Sequence, residues 1–470
     1  MEMPSALEAA RLVRRRDLSA TELLDACLDA VGDRNEALNA FVHLDPGPAR
    51  AQAAVLDREL AAGRTDELRP LAGVPFGVKD LENCAGMPTT RGSRWFVGGP
   101  PADHDEIHVA RLRSAGAIPI GKTATPEFGA WAYTASPALG VTRNPWDRSR
   151  TPGGSSGGSS AAVSAGMVPF CTASDGGGSI RTPANFTGLV GLKACYGRIP
   201  TLDGTHLAQN AVAGSLATTV ADAAFLLDVM AGPDDRDRTC LPAPGVRYAE
   251  AIDRPEAVRG LRVVWTDDLG FATVDPAIAD LVRRAALELI EAAGLVLVDR
   301  PVMLDDYIGT YIHIEGADRF VGVAPELWRD RLDELDPLVA PGWASAPSVT
   351  LPKLARVEED RRRLVRQVAD IFAEVDVLLT PMSSIPAFAA EGPMPTEVAG
   401  VPGHGGMAVM HGMLANLANL PAISVPAGSS PEGLPVGLQI VARRFREDVC
   451  LTLARVVEQA RPWPRHAPAW

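Results

Sequence analysis

GGSSGGSSAA, from Gly153 to Ala162, and SDGGGSIR, from Ser174 to Arg181, are the stretches on which the reading of this chain turns. The first could be a flexible Gly/Ser linker, but Ala161-Ala162-Val163 runs directly into a small-residue helix, and a linker does not feed packed structure. It is also rich enough in glycine to cradle phosphate with backbone N–H groups. No Gly-Lys-Ser/Thr follows to engage phosphate and magnesium, so a Walker-type loop is unsupported. Gly153-Gly154-Ser155-Ser156-Gly157 fits G-x-S-x-G, the pattern of a nucleophile elbow, which requires an apolar strand directly before the serine. Here the preceding Asn144-Pro145-Trp146-Asp147-Arg148-Ser149-Arg150-Thr151-Pro152 is loop chemistry. His206, His313, His404 and His411 stand in no recognisable setting for the elbow's base, and a Ser-His-Asp hydrolase is disfavoured.

The second stretch places three glycines before Ser179. Such a run lets the backbone turn tightly and aim successive N–H groups at one point, which is how an oxyanion site is made from main chain. Taken alone, it also reads as a Gly-rich turn with a capping serine.

Outward from these blocks, the chain alternates between strand and helix patterns. Val74-Pro75-Phe76-Gly77-Val78 is a short apolar run that ends in the charged pair Lys79-Asp80, then come a helix over His108 to Ala115 and a strand over Ala117 to Ile120. The N-terminal 70 residues read as helices, one of them opened by a Ser19/Glu22 capping box with Leu18 and Leu23 as a staple. Strand and helix patterns return from Val263 to Val302. A strand over Val375 to Leu379, a helix over Met407 to Leu417 and strands over Ala422 to Pro426 and Val436 to Val441 complete the chain. Between Asp305 and Trp343 the aromatics Tyr307, Tyr311, Phe320, Trp328 and Trp343 cluster, which suits either a cap over an apolar cleft (305–345) or the packing of a helical subdomain. Length alone permits about three domains. Without repeats or a separating linker, the pattern predicts a single α/β domain with a large mixed β-sheet core surrounded by helices.

Charge and composition exclude several function classes. With 45 Lys+Arg against 58 Asp+Glu the net charge is −13, a field that repels phosphate backbones and anionic lipid, so neither nucleic acid nor membrane is an expected partner. No apolar run approaches the roughly 18 residues that span a bilayer, and the charges in the first 27 residues do not suit a signal peptide, so the chain reads as cytoplasmic. Cys27, Cys84, Cys171, Cys195, Cys240 and Cys450 show neither CxxC nor CxxH spacing and are expected to be reduced. His104 and His108 stand at i, i+4, a metal-ligand spacing. Asp103 is expected to cap that helix with both histidines on its wet first turn, and no metal or cofactor is assigned.

Together with Lys79, the two Gly/Ser blocks resemble the amidase signature family. Gly73-Val74-Pro75-Phe76-Gly77-Val78-Lys79-Asp80 is similar to its lysine strand, Gly153 to Ala162 to its GGSSGG block, and residues 174–181 with Pro183-Ala184 and Gly188-Leu189-Val190-Gly191-Leu192-Lys193 to its nucleophile segment. The resemblance runs from Leu71 to about Pro200 and resumes in Leu420-Pro421-Ala422-Ile423-Ser424-Val425-Pro426 and Gly433 to Gln439. It departs at Ala173, where the family prefers glycine, and at Ala194-Cys195, where Pro-Thr is usual.

The resemblance implies a Ser-cisSer-Lys triad of Ser179, Ser155 and Lys79, with a cis peptide before Ser155. It further implies an oxyanion hole from the amides of Gly176, Gly177, Gly178 and Ser179, and supporting roles for Ser156 and Ser174. Gly129-Ala130-Trp131-Ala132-Tyr133 is similar to a segment that lines the acyl pocket in relatives. Gly129, Ala130, Trp131 and Tyr133 are therefore expected near substrate, with core packing an even alternative for Trp131 and Tyr133. Asp175 and Arg181 are expected to form a structural ion pair.

The implied activity is cofactor-free hydrolysis of a small-molecule carboxamide or related acyl C–N bond, including hydrazide or carbamate. The aromatic segment favours an aryl or apolar acyl group, and a homodimer is the default oligomer. The alternative reading is the glutaminase subunit of a tRNA-dependent amidotransferase. A catalytically dead binding protein is disfavoured because Lys79, Ser155 and Ser179 are all present.

Overall fold

In a computed structural model, residues 2–63, 69–202, 209–318, 323, 328–345 and 348–468 are described; His206 and Phe320 lie outside them. Eleven strands form one mixed sheet. In spatial order they are Phe41–Leu44, Ile118–Thr123, Pro75–Lys79, Phe170–Asp175, Val212–Ala217, Val190–Lys193, Ala422–Ser429, Pro435–Ala442, Val377–Pro381, Arg262–Trp265 and Val296–Leu297. Pro75–Lys79 runs parallel to both of its neighbours, and a second parallel set occupies the far end, where Arg262–Trp265 pairs with Val377–Pro381 and Val296–Leu297. The strands between them are antiparallel.

Strand residues divide by parity, as a period of two requires. Val263, Val377, Leu379, Ile423 and Ile440 enter one large apolar cluster, while Val264, Leu378, Ala422 and Val441 enter another. The sheet is thus covered on both faces, and its central strands read as nearly continuous apolar runs for that reason. The first cluster includes residues of helices Ala6–Arg15, Ala20–Leu38, Pro276–Ala293 and Glu447–Ala460, and the second those of Leu351–Glu374 and Met410–Leu417.

The capping-box expectation is met in detail. Ser19 and Glu22 form the capping box of helix Ala20–Leu38, with Ser19 N–H donating to Glu22 Oε2 (2.8 Å) and Glu22 N–H to Ser19 Oγ (3.0 Å). Two others are corrected. The N-terminal 70 residues are not all helical, because Phe41–Leu44 forms an edge strand on Ile118–Thr123. The helix expected over 407–417 is a 3-10 turn, Gly405–Ala408, and an α-helix, Met410–Leu417, separated by Val409 at φ −133°.

Candidate active site

Lys79 ends its strand at the carboxyl edge of the parallel pair with Phe170–Asp175, where open α/β sheets place their ligand crevices. Ser174 comes from the corresponding end of the neighbouring strand, and Ser155 and Ser156 from the turn that leads into helix Gly157–Ser164. Lys79 is fully buried, and its Nζ donates to Ser155 Oγ (2.8 Å), Ser156 Oγ (2.8 Å) and Ser174 Oγ (2.9 Å). Burial drives the amine down to about 7, against the partial opposition of the Glu82 and Asp175 carboxylates. An amine in that state is a base near neutral pH.

The Gly154–Ser155 peptide is cis. Residue 154 can only be glycine on steric grounds: a side-chain carbon there would stand 2.6 Å from the Tyr133 amide nitrogen and press on the Trp131 carbonyl oxygen. The 131–133 segment therefore lies directly on the turn that presents Ser155. Gly129 is equally close, since a carbon added to it would sit 3.2 Å from Ser155 Oγ.

Ser179 is half-buried and reaches the same turn through its carbonyl, which accepts the Ser156 amide (3.3 Å). Of the glycine amides expected to receive an oxyanion, Gly178 N–H instead donates to Asp175 Oδ1 (2.7 Å), which corrects its assignment. Its φ of +120° is a backbone state open mainly to glycine, and this conformation lets the chain fold back on the carboxylate. The amides of Gly176, Gly177 and Ser179 have no hydrogen-bond acceptor among the described residues.

Asp175 and Arg181 form the expected ion pair. Both are wholly buried, Nη2 to Oδ1 is 2.9 Å, and Arg181 also donates to Gln439 Oε1 (2.6 Å) and Asn416 Oδ1 (2.6 Å). Burial disfavours the Asp175 charge, yet Arg181 beside it holds the carboxyl down at about 2. Removing one partner strands a buried charge, so Arg181→Leu is expected to destabilise the fold by about 3–5 kcal/mol. The check is a urea unfolding curve, where a midpoint change worth under about 1 kcal/mol at constant slope would contradict it.

Trp131 and Tyr133 stack at 6.2 Å and 20°, and Tyr133 packs edge-on against Phe388. Tyr133 is only 3% exposed and belongs to a small apolar cluster, whereas Trp131 and Ala130 are half-exposed. From the 305–345 segment, Trp343 packs on Phe128 (5.1 Å) and Trp95 (5.4 Å), while Tyr307 is buried against Phe271.

Two arrivals at the glycine loop were not singled out as site residues from sequence. The Tyr311 hydroxyl lies against Gly177, and the Glu315 carboxylate stands 3.6 Å from where a side-chain carbon on Gly176 would be. Asn210 Nδ2 donates to Glu315 Oε1 (3.2 Å). Tyr311 and Glu315 belong to helix Ile308–Asp318, and their i, i+4 spacing, which puts them on one face, was the available signal.

His313 and His404 are exposed, and His411 is buried with Nε2 toward the Asp267 carbonyl (2.7 Å) and its ring held down to about 4 by desolvation. None of these three hydrogen-bonds to Ser155, Ser156, Ser174 or Ser179. The His104/His108 expectation is corrected: the helix begins at Ile107 after Glu106, and Asp103 pairs with His104 outside it. His108 is buried against Glu82 rather than solvated.

Fold and site together define a single-domain α/β enzyme whose buried ionisable centre is a lysine among serine hydroxyls. A family model described as Amidase matches residues 22–451. An acylamidase of Rhodococcus erythropolis is 35% identical, covering 99% of this chain and 97% of its own. One Glutamyl-tRNA(Gln) amidotransferase subunit, from Synechococcus sp. (strain CC9311), is 37% identical over 94% of each chain. The structure is similar to that of a bacterial aryl acylamidase of the amidase signature enzymes, with a TM-score of 0.88 at 27% identity over 98% of this chain and 97% of that one. The chain belongs to the amidase signature family and is an amide hydrolase.

Proposed function

We propose that this enzyme hydrolyses a small-molecule carboxamide, with an aryl or apolar acyl group, through an acyl-enzyme on Ser179. The observation that carries the reading is Lys79: wholly buried, driven to about 7, and donating to three serine hydroxyls rather than to a carboxylate. A serine hydroxyl attacks an amide only as a base removes its proton. Ser155 passes the Ser179 proton to Lys79, and the amides of Gly176, Gly177 and Ser179 hold the oxyanion of the tetrahedral intermediate. Collapse of that intermediate breaks the C–N bond, and the departing amine takes the proton back through Ser155. Water then attacks the acyl-enzyme with Lys79 again as base, releasing the acid and restoring Ser179. Ser156 and Ser174 keep the amine oriented toward Ser155.

The aromatic set Trp95, Phe128, Trp131 and Trp343 supports an apolar acyl group, with the described residues of 305–345 acting as its cap. Gly129 and Ala130 line the approach to Ser155, and Tyr133 supports Trp131 from behind. A hydrolysis screen over aliphatic amides, anilides, hydrazides, carbamates, peptide amides and glutamine tests this. Anilides or other aryl amides are expected to lead; preference for glutamine would overturn it.

The second reading, a glutaminase component of an amidotransferase, is favoured by the similarity to the Synechococcus protein. Copurification with partner chains and glutamine turnover would establish it, whereas turnover of other amides by the lone chain would exclude it.

A further inference from the structure

Glu82 lies one turn beyond Lys79, and its amide donates to the Lys79 carbonyl (3.0 Å). Its side chain is 7% exposed and that of His108 2%, with His108 Nε2 3.2 Å from Glu82 Oε2. Thr172, on the strand that also carries Ser174, stands beside Lys79. Its Oγ1 accepts the Lys79 amide (3.0 Å). Apolar side chains of similar volume would commonly hold such an interior position at least as stably as a buried ion pair. The amide-cleaving steps above use neither residue.

We propose that Glu82 and His108 are a positioning pair that sets the protonation balance of Lys79, with Glu82 favouring the ammonium and His108 limiting that influence. The proposal rests on the reading of Lys79 as the base. Two charges in a poorly solvated interior act on each other over several ångströms, and an anion beside a buried amine favours its charged form. Burial pushes the Lys79 amine down, and Glu82 is the larger of the two carboxylate influences that oppose it, ahead of Asp175. Burial works against both partners of the pair, yet the His108 charge holds the Glu82 carboxyl below its ordinary value and Glu82 holds the His108 ring above its own.

The neighbouring charges have other partners. Asp175 is paired with Arg181, and Asp80 with Lys122 on the adjacent strand (3.5 Å). Lys122 also feels Glu82, but it is held by the Glu82 carbonyl and Thr89 Oγ1. Glu106, just before the helix that carries His108, favours the imidazolium, and Arg111 on that helix disfavours it. The thiols of Cys84 and Cys171 are pushed up by burial and stay neutral. Glu82 is thus the anion whose cation is an imidazolium, and that cation can be removed by an uncharged substitution.

The test is the acidic limb of the kcat/KM profile against pH, measured on the preferred amide for the wild type and three variants. Glu82→Gln removes the anion, so the limb is expected to move to lower pH by about one unit. His108→Gln leaves Glu82 unneutralised, and the limb is expected to move up. Glu82→Leu/His108→Leu replaces the whole pair with apolar groups of a kind cores accept, and should move the limb down as Glu82→Gln does. A wild-type limb that stays in place in the folded variants, with only kcat or the unfolding midpoint reduced, would make the pair structural and overturn the proposal. A wild type with no acidic limb would instead overturn the assignment of Lys79 as base.

Discussion

Ser179→Ala is expected to lower kcat/KM for amide hydrolysis by about 10⁴-fold or more, because no other group then forms the acyl-enzyme. The structure restricts the alternatives. Ser155 and Ser156 both accept from Lys79 Nζ, and Ser155 is only 3% exposed, whereas Ser179 is half-buried beside the half-buried Gly176 and Gly177, where a carbonyl can approach. The variant should unfold at the wild-type temperature, since the backbone contact of residue 179 is made by its carbonyl and is unchanged. A mass spectrum taken during turnover of a slow substrate should show one acyl group on the peptide containing Ser179 and none in the variant. An acyl group on any other side chain would refute the assignment. Residual hydrolysis in the variant would reflect binding and the remaining amides alone, which elsewhere sustain about 10³–10⁴-fold over water.

What sequence revealed of this site, and what it did not, follows from where the chemistry lies along the chain. Lys79, Ser155, Ser156 and Ser174 sit at strand ends or at a helix start. There an apolar run gives way to charge or to a Gly/Ser turn, and that change of pattern is visible in one dimension. Which glycine amide is engaged was not visible. It depends on the orientation of the Asp175 carboxylate, which is itself set by Arg181 and by Asn416, more than two hundred residues away. Glu315, which accepts from Asn210, approaches Gly176 from beyond the nucleophile segment, so no local pattern joins it to the loop. His104 and His108 illustrate the reverse error. Their i, i+4 spacing implies a shared helix face only if both are helical, and the helix begins at Ile107, so one ring stays in water while the other turns inward to Glu82. The strand Phe41–Leu44 was hidden by its length, since four residues carry too little alternation to stand out between two long helices.

Lys79 is the group whose removal should be nearly as damaging as that of Ser179, and in a way that identifies its role. General-base assistance is worth about 10²–10⁴-fold, so Lys79→Met is expected to lose activity on that scale or beyond, because Ser155 loses the acceptor that drives its relay. In the wild type the sign follows from the protonation state that reacts. With the amine at about 7, the neutral base predominates above that pH and the ammonium below it. The kcat/KM profile should therefore fall about tenfold per pH unit on its acidic side, and Lys79→Met should lack that limb. Stability carries the same signature. The folded amine titrates at about 7 and the unfolded one near its ordinary 10.5, so between those values the unfolded chain holds a proton that the folded chain has released. Wild-type stability then rises with pH through that window, with the contribution of this lysine most unfavourable below 7. Lys79→Met abolishes that component, and its unfolding midpoint at pH 7 is expected at or above the wild-type value while hydrolysis is lost. Activity persisting within about tenfold in Lys79→Met at neutral pH, or a wild-type rate flat from about pH 5 to 9 with chemistry rate-limiting, would remove Lys79 from the mechanism.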